Sequence, residues 1–188
     1  MWTCIFSSVI NRGKRCNDPN GPGEGEFAKD LDPSVCAWFN EYPTRYMWDE
    51  ATKELADWPG WQDEELEKTK GRVWERIKAE RDRRMDGGFK VEVEPGVFKW
   101  YHSDPKSRTQ HLGLVLAGAA VPPVQWKTMD GTKVSMSQTI AQAIFQAGMV
   151  LDGALFTRAE QHKAAMEASP DPLSYDFSTG WPENYLGL

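Results

Sequence analysis

The stretch SMSQTIAQAIFQAGMVLDGALFTRAEQHKAAMEA, residues 135–168, decides the fold of this chain. Its apolar residues recur about every 3.6 positions, the period of an α-helix. Ser135 and Gln138 have the spacing of a capping box, which places the start of the helix there. At about 1.5 Å per residue, the helix would be on the order of 50 Å long. The positions of the pattern are Met136, Ile140, Ile144, Ala147, Leu151, Leu155, His162 and Met166.

A helix of this length exceeds the needs of a small domain, so either the other elements pack along it or another chain covers part of it. Alanine and glycine keep its middle narrow, although Gly148 and Gly153 each cost about 1 kcal/mol relative to alanine. A break between these two glycines is therefore an alternative. Isoleucine at successive seam positions is compatible with three strands, which favours a homo-oligomer and specifically a trimer. The predicted self-association residues are Ile140, Ile144, Ala147, Leu151 and Leu155.

A second helix is predicted over residues 62–86, which are mostly strong helix formers. Gly87 and Gly88 follow it and supply the left-handed geometry of a helix C-terminus. A hairpin comes next, because residues 89–94 alternate between apolar and charged and then turn at Pro95 and Gly96. Glu92 and Glu94 invite comparison with a catalytic carboxylate pair. Such pairs must flank a cleft, so we interpret these two as solvated residues on the outer face of a strand.

The segment FKWYHSDPKSRTQHLGL, residues 98–114, contains the residue types of nucleophilic and acid–base chemistry. Asp104 followed by Pro105 also matches an N-cap residue and a proline at the first helical position, with Ser103 as a competing cap. We interpret the cluster as a strand end at His102 followed by a helix to about residue 119. We expect His111 on the surface or edge of that helix, with the buried side formed by Leu112, Val115 and Leu116.

A second hairpin is predicted in VQWKTMDGTKVSMS, residues 124–137. A two-residue loop would place Trp126 opposite Ser135. A three-residue loop with a left-handed glycine instead places Trp126 opposite Val134 and Lys127 opposite Lys133. We prefer the three-residue loop, although it sets two like charges side by side.

The N-terminal region, residues 1–61, has little sustained periodicity and contains the turn-rich loop NDPNGPGEGE. Its three cysteines, at positions 4, 16 and 36, cannot all pair within one chain and lack the usual spacing of zinc ligands. We therefore expect reduced thiols, no metal and no cofactor. Tryptophan is abundant in the chain, and aromatic residues are enriched at protein contacts. The predicted partner-docking residues are Trp2, Phe6, Trp38 and Trp48.

Charge and hydropathy limit the possible partners. The net charge is -6 and the sequence pI is near 5.2, which disfavours a nucleic-acid binder. No long uninterrupted apolar run suggests a membrane span, and no signal peptide is recognisable. The predicted fold class is α+β, with long helices, two short β-hairpins and an irregular N-terminal extension. The predicted domains are a docking region at 1–61, a helix–hairpin–helix–hairpin–helix domain at 62–183 and a tail at 184–188.

The order of several motifs resembles a known phage domain. WERIKAERDRR is followed by Gly-Gly-Phe and a hairpin, HSDPKSRTQHLG, VQWKTMDGTKVSMS, AEQHKAAMEA and STGWP. Over residues 68–183 this order is similar to a domain of unknown function common at the C-terminal ends of tailed-bacteriophage tail-fibre and tail-fibre-assembly proteins. The preceding YMWDEATKELADWPGW resembles the run that often precedes such domains, whereas residues 1–45 match no family. The resemblance implies a place in a phage tail and transfers no catalytic residue.

Three functions follow as hypotheses. The first is a non-enzymatic virion protein, a small tail fibre or fibre adaptor, made in the host cytoplasm, that self-associates and docks on other tail proteins such as fibre, adaptor or nozzle. The second is a tail-fibre assembly chaperone that is absent from the mature particle. The third is a tail hydrolase using Glu92, Glu94 or the residues from His102 to Asp104, which we disfavour because no convergent polar site is evident.

Overall fold

The computed structural model of the protein describes residues 2–185. The chain forms two compact units, residues 1–68 and 69–188. The sequence placed its boundary at residues 61 and 62, whereas the compact units meet inside a continuous helix at residue 68. Of the predicted tail at 184–188, residues 186–188 lie outside the described part of the chain.

The first unit is built on a three-stranded antiparallel sheet in the order β2-β1-β3, followed by a helix and a separate hairpin. Helix α1 begins where it does because the Asp32 side chain accepts a hydrogen bond from the Ser34 backbone N–H and Pro33 fits the first helical position. The elements are β1 (Trp2–Ser7), β2 (Gly13–Cys16), β3 (Glu26–Leu31), α1 (Pro33–Glu41), β4 (Tyr46–Asp49) and β5 (Glu54–Asp57).

An aromatic core holds this unit together. Phe6 stacks on Phe27 at 5.2 Å between ring centroids and meets Phe39 at 5.0 Å. Cys4, Phe6, Cys36, Phe39 and Trp48 are buried together. The N-terminal region is therefore more regular than the sequence predicted, because its aromatic residues supply a core that short strands without a clear period did not reveal.

The second unit pairs long helices with two hairpins, and helix α2 runs into it from the first unit. Helix α4 packs against α3 and β6. The elements are α2 (Trp61–Met85), β6 (Phe89–Glu94), β7 (Val97–Tyr101), α3 (Pro105–Ala117), β8 (Val124–Lys127), β9 (Lys133–Met136) and α4 (Gln138–Glu167). This mixture of helices and short antiparallel sheets confirms the predicted α+β class.

Both predicted hairpins are present. The first turns at Gly96, which has a φ of 77°. In the second, Trp126 lies opposite Val134 and Lys127 opposite Lys133, with Gly131 at a φ of 82°. The three-residue loop is therefore confirmed. Both lysines are exposed, so water screens their repulsion.

Helix α4 starts two residues later than predicted. The Ser137 side chain accepts a hydrogen bond from the Ile140 backbone N–H and caps the helix, while Ser135 lies in strand β9. The capping-box assignment to Ser135 was wrong because the β8–β9 pairing holds that residue in extended backbone. The helix continues without a break through Gly148 and Gly153. Its 30 residues give a length of about 45 Å.

Two buried clusters lie along α4. The first joins its N-terminal half to the β6–β7 hairpin and includes Phe89, Tyr101 and Ile144. The second joins its C-terminal half to α2 and to the chain after residue 170, through Ala159, Met166 and Trp181. In the second cluster, His162 Nδ1 lies 2.9 Å from the Tyr175 hydroxyl and Nε2 lies 3.1 Å from the carbonyl oxygen of Thr179. The aromatic C-terminal segment thus packs in a groove of its own chain.

Candidate interaction surface

Helix α4 has an inner and an outer face, and both are apolar. Its inner face contributes to both clusters. Ile144 is buried in the first cluster, Ile140, Ala147 and Leu151 are packed against that cluster, and Leu155 is also buried. These five are the predicted self-association residues. Buried Ile144 and Leu155 leave no surface for a partner, so the periodic pattern identified the face of the helix that meets its own domain.

The outer face carries the large side chains that the sequence interpretation missed. Phe145, Met149 and Phe156 are 43%, 63% and 56% exposed. At about 100° per residue, these three side chains lie within about 40° of one another around the helix. Asp152 lies on the same line, which gives spacings of four, three and four residues. This is the spacing of a coiled-coil seam, and we call Phe145, Met149, Asp152 and Phe156 the outer stripe.

A cleft of ≈ 170 Å³ opens beside the first half of the outer stripe. An ion pair stands in its wall, where Arg108 Nη1 and Nη2 lie 2.7 Å and 3.0 Å from the Asp152 carboxylate oxygens. Arg108 also donates to the Met85 carbonyl at 3.1 Å and lies over the Phe89 ring at 4.7 Å. The cleft is lined by Phe89, Arg108, His111, Ile144, Phe145, Gly148, Met149 and Asp152.

His111 is buried at the base of this region, only 1% exposed. Its ring lies 4.7 Å from the Trp126 ring and 6.3 Å from the Tyr101 ring. Among the described residues, neither of its nitrogens has a hydrogen-bond partner. Burial lowers the pKa of His111 to about 4, so the ring is neutral at pH 7. The predicted surface position was wrong because α3 turns His111 inward, which leaves Leu112 and Leu116 exposed instead of buried.

The His102–Asp104 cluster has a structural role in this fold. The buried Ser103 hydroxyl donates to the Met85 carbonyl at 2.7 Å and accepts from the Gly88 N–H at 2.8 Å. Asp104 accepts from the backbone N–H groups of Lys106 and Ser107, which confirms it as the N-cap of α3. Ser103 therefore ties the end of α2 to the start of α3, and its hydroxyl is occupied on both sides.

Glu92 and Glu94 are exposed on the β6–β7 hairpin, as predicted. The Glu92 carboxylate accepts a hydrogen bond from the Gly96 backbone N–H at 2.7 Å and so closes its own turn. The absence of catalytic residues stays a prediction.

The four predicted docking residues divide into two pairs. Trp2 and Trp38 are 43% and 65% exposed, so both remain candidates for docking. Phe6 is fully buried and Trp48 is 6% exposed. These two form the core of the first unit, which corrects their assignment as surface anchors.

The three cysteines converge in the first unit. Their sulfur atoms all lie within 4.8 Å of one another, with Cys4 bonded to Cys16 in a disulfide and Cys36 left as a buried thiol. The expectation of three reduced thiols is corrected, because the sheet register places Cys4 opposite Cys16.

One family model matches the chain. It is the domain of unknown function DUF4376, and it covers residues 68–179, more than half of the chain. The chain belongs to the DUF4376 family. The matched range lies within the second unit but for residue 68, and it contains the outer stripe and the cleft. No curated protein and no solved structure matches the chain.

Helix α4 of this DUF4376 domain is also long and apolar enough to cross a membrane, on length and composition alone. Its most apolar window has a mean hydropathy of 1.3, and 22% of that window is buried. A core helix passes the same test, and the inner face of α4 fills two clusters. The apolar side chains of the outer stripe lie on the same helix and are exposed.

Proposed function

We propose that the protein is a non-enzymatic structural component of a phage tail, a small tail fibre or fibre adaptor, that self-associates through the outer stripe of α4. The observation that carries the proposal is the exposure of Phe145, Met149 and Phe156 on one line. Large apolar side chains that lie together on the surface of a soluble protein often mark an interaction site. The phage assignment rests on the sequence resemblance over residues 68–183.

The spacing of the stripe favours a second copy of the chain as its occupant. A four-three-four repeat on a straight helix matches an identical repeat on another helix, because the side chains of one fit between those of the other. The stripe runs for about 16 Å along the axis, and Asp152 in its middle is held by Arg108. A partly exposed ion pair in the seam would fix the register of the copies more than their affinity.

Sedimentation velocity on the full chain tests the self-association. We expect a trimer at micromolar concentration, and a monomer for the double variant Phe145→Ser/Met149→Ser. Val150→Ser is the matched control, since Val150 is 74% exposed on the same helix but about 140° away from Phe145. A wild-type monomer at high concentration, or an equal loss in Val150→Ser, would contradict the outer stripe as the interface. Flotation of the monomer with lipid vesicles would assign the stripe to a membrane instead.

Mass spectrometry of purified phage particles tests the place in the tail. We expect the chain in stoichiometric amounts, in a multiple of three or six relative to the portal. Its absence from the particles would reject the virion role and favour the assembly chaperone, which would use the same stripe on an unfinished fibre.

A further inference from the structure

The cysteine cluster of the first unit is independent of the outer stripe. Its three members come from three elements, Cys4 from β1, Cys16 from β2 and Cys36 from the first turn of α1. They are the only cysteines in the sequence. Cys4 and Cys16 are 12 positions apart, and Cys36 is far from both in sequence. Folding therefore gathers every thiol of the protein at one point.

Backbone geometry fixes each member of the cluster. Cys4 and Cys16 are paired residues of the β1–β2 ladder, with Cα atoms 4.2 Å apart. Cys36 is held by its backbone N–H, which donates to the Asp32 carbonyl at 2.9 Å at the start of α1. Its sulfur lies 2.9 Å from that of Cys4. Cys4 and Cys36 are fully buried, and Cys16 is partly exposed.

A single disulfide does not account for a third sulfur at this point. The disulfide uses the sulfurs of Cys4 and Cys16, so the thiol of Cys36 remains. That thiol lies in an apolar core, where burial raises its pKa and keeps it neutral. We propose that the reduced form of this cluster is a metal site, in which Cys4, Cys16 and Cys36 bind one thiolate-preferring cation of the Zn²⁺ class. Sulfur ligands select such ions over Mg²⁺ or Ca²⁺.

The geometry needs only local adjustment. Zn–S bonds of about 2.3 Å in a tetrahedral site place the sulfur atoms about 3.8 Å apart. The sulfurs here already lie within 4.8 Å of one another. Binding requires Cys4 and Cys36 to separate by about 1 Å and, once the disulfide is reduced, Cys4 and Cys16 to separate from about 2 Å to about 3.8 Å. Among the described residues the cluster offers three ligands. Water entering beside the partly exposed Cys16 would complete the coordination, as in zinc sites that keep one position open.

Metal binding requires that the Cys4–Cys16 disulfide is first reduced. The Cys4–Cys16 bond takes two electrons from the reductant and yields two thiols. With a thiol reductant the two protons come from the thiols, which become a disulfide, and with a phosphine they come from water, whose oxygen forms the phosphine oxide. Zn²⁺ then replaces the thiol protons, and up to three protons leave to solvent because thiolates are the ligands. Binding must therefore weaken as the pH falls.

Metal titration of the full chain tests the site. The protein is freed of any affinity tag, reduced with a phosphine under anaerobic conditions, and titrated with Zn²⁺ and with Co²⁺. We expect one ion per chain and thiolate-to-cobalt charge-transfer bands. Cys4→Ser, Cys16→Ser and Cys36→Ser should each weaken binding at least tenfold. Phe27→Leu, which changes the same core without removing a sulfur, should bind as tightly as the wild type.

A second measurement needs no variant and covers the case in which a serine variant fails to fold. Zn²⁺ should slow alkylation of all three cysteines in the reduced wild-type protein, as read by peptide mass spectrometry. Absence of stoichiometric binding, or unchanged affinity in a folded Cys36→Ser variant, would overturn the metal site. Loss of binding in Phe27→Leu together with unprotected thiols in the wild type would also overturn it.

Discussion

The position of His111 in the structure differs from the position that the sequence predicts. On the sequence it is a polar residue expected on the surface or edge of a helix, whereas in the fold its ring lies against Trp126 and Tyr101 with both nitrogens unpaired among the described residues. A buried neutral imidazole of this kind makes the free energy of unfolding depend on pH, because the imidazole is protonated more readily in the unfolded chain than in the folded chain.

This dependence gives the first prediction. The folded pKa of His111 is about 4 against an ordinary value of 6.5, so its contribution to stability is complete above pH 6.5 and is lost as the pH falls toward 4. Between pH 7 and pH 5 the loss is about 2 kcal/mol. Urea unfolding at the two pH values should show this loss in the wild type, and the pH dependence in His111→Leu should be smaller by this amount.

Burial also lowers the pKa of His162, so the comparison needs a control. His102 is exposed nine residues away, and His102→Gln should keep the full pH dependence of the wild type. Equal pH dependence in the wild type and in His111→Leu would contradict the neutral buried state of His111.

At the scale of elements, the start of α4 depends on which serine caps it. Ser137 accepts the Ile140 N–H, and Ser135 is an exposed residue of β9. Ser137→Ala should destabilise the protein by about 1 kcal/mol, measured by thermal or urea unfolding. Ser135→Ala should change stability by less than about 0.5 kcal/mol. A larger effect of Ser135→Ala would restore the capping box that the sequence suggested.

The two glycines of α4 make a matched pair within one helix. A Cβ at Gly148 would lie 2.9 Å from Cζ of the buried Phe89 ring, whereas a Cβ at Gly153 would meet nothing within 4 Å. Gly153→Ala should therefore stabilise the protein by up to about 1 kcal/mol through helix propensity. Gly148→Ala should destabilise it by about 1–3 kcal/mol, because overpacking outweighs the same gain. Unfolding experiments on the two variants should give opposite signs.

Opposite signs are the decisive part of that experiment. Stabilisation by both substitutions would mean that the Phe89 ring moves aside at little cost and that α4 and β6 are not closely packed. Destabilisation by both would instead point to a close approach at Gly153 by a second copy of the chain.

At the scale of the whole molecule, self-association should make stability depend on concentration. A partner that binds only the folded state raises the melting temperature by mass action. The Tm of the wild type should therefore rise with protein concentration over two orders of magnitude. In Phe145→Ser/Met149→Ser it should stay constant, and Val150→Ser should behave as the wild type. A constant Tm for all three proteins would contradict an obligate oligomer.

The assignment of the faces of α4 depended on the whole molecule and not only on the local sequence pattern. The periodic spacing of apolar residues identified the inner face of α4 correctly, but such spacing shows only that one face of a helix is buried. It does not show whether the same chain or a second copy of the chain buries that face. The predicted seam was therefore assigned to a partner although Ile144 and Leu155 pack on their own domain. Phe145, Met149 and Phe156 could have been found by their own spacing of four and seven residues.

The sequence by itself determined the α+β class, both hairpins, the register of the second hairpin, the Asp104 cap and the position of the long helix to within two residues, because each follows from local backbone preferences and short-range periodicity. Only the tertiary structure decided the core of the first unit, the burial of His111 and the convergence of the cysteines. Those features join residues far apart in the chain, and the packing that unites them depends on the rotation of each element, which local sequence leaves open.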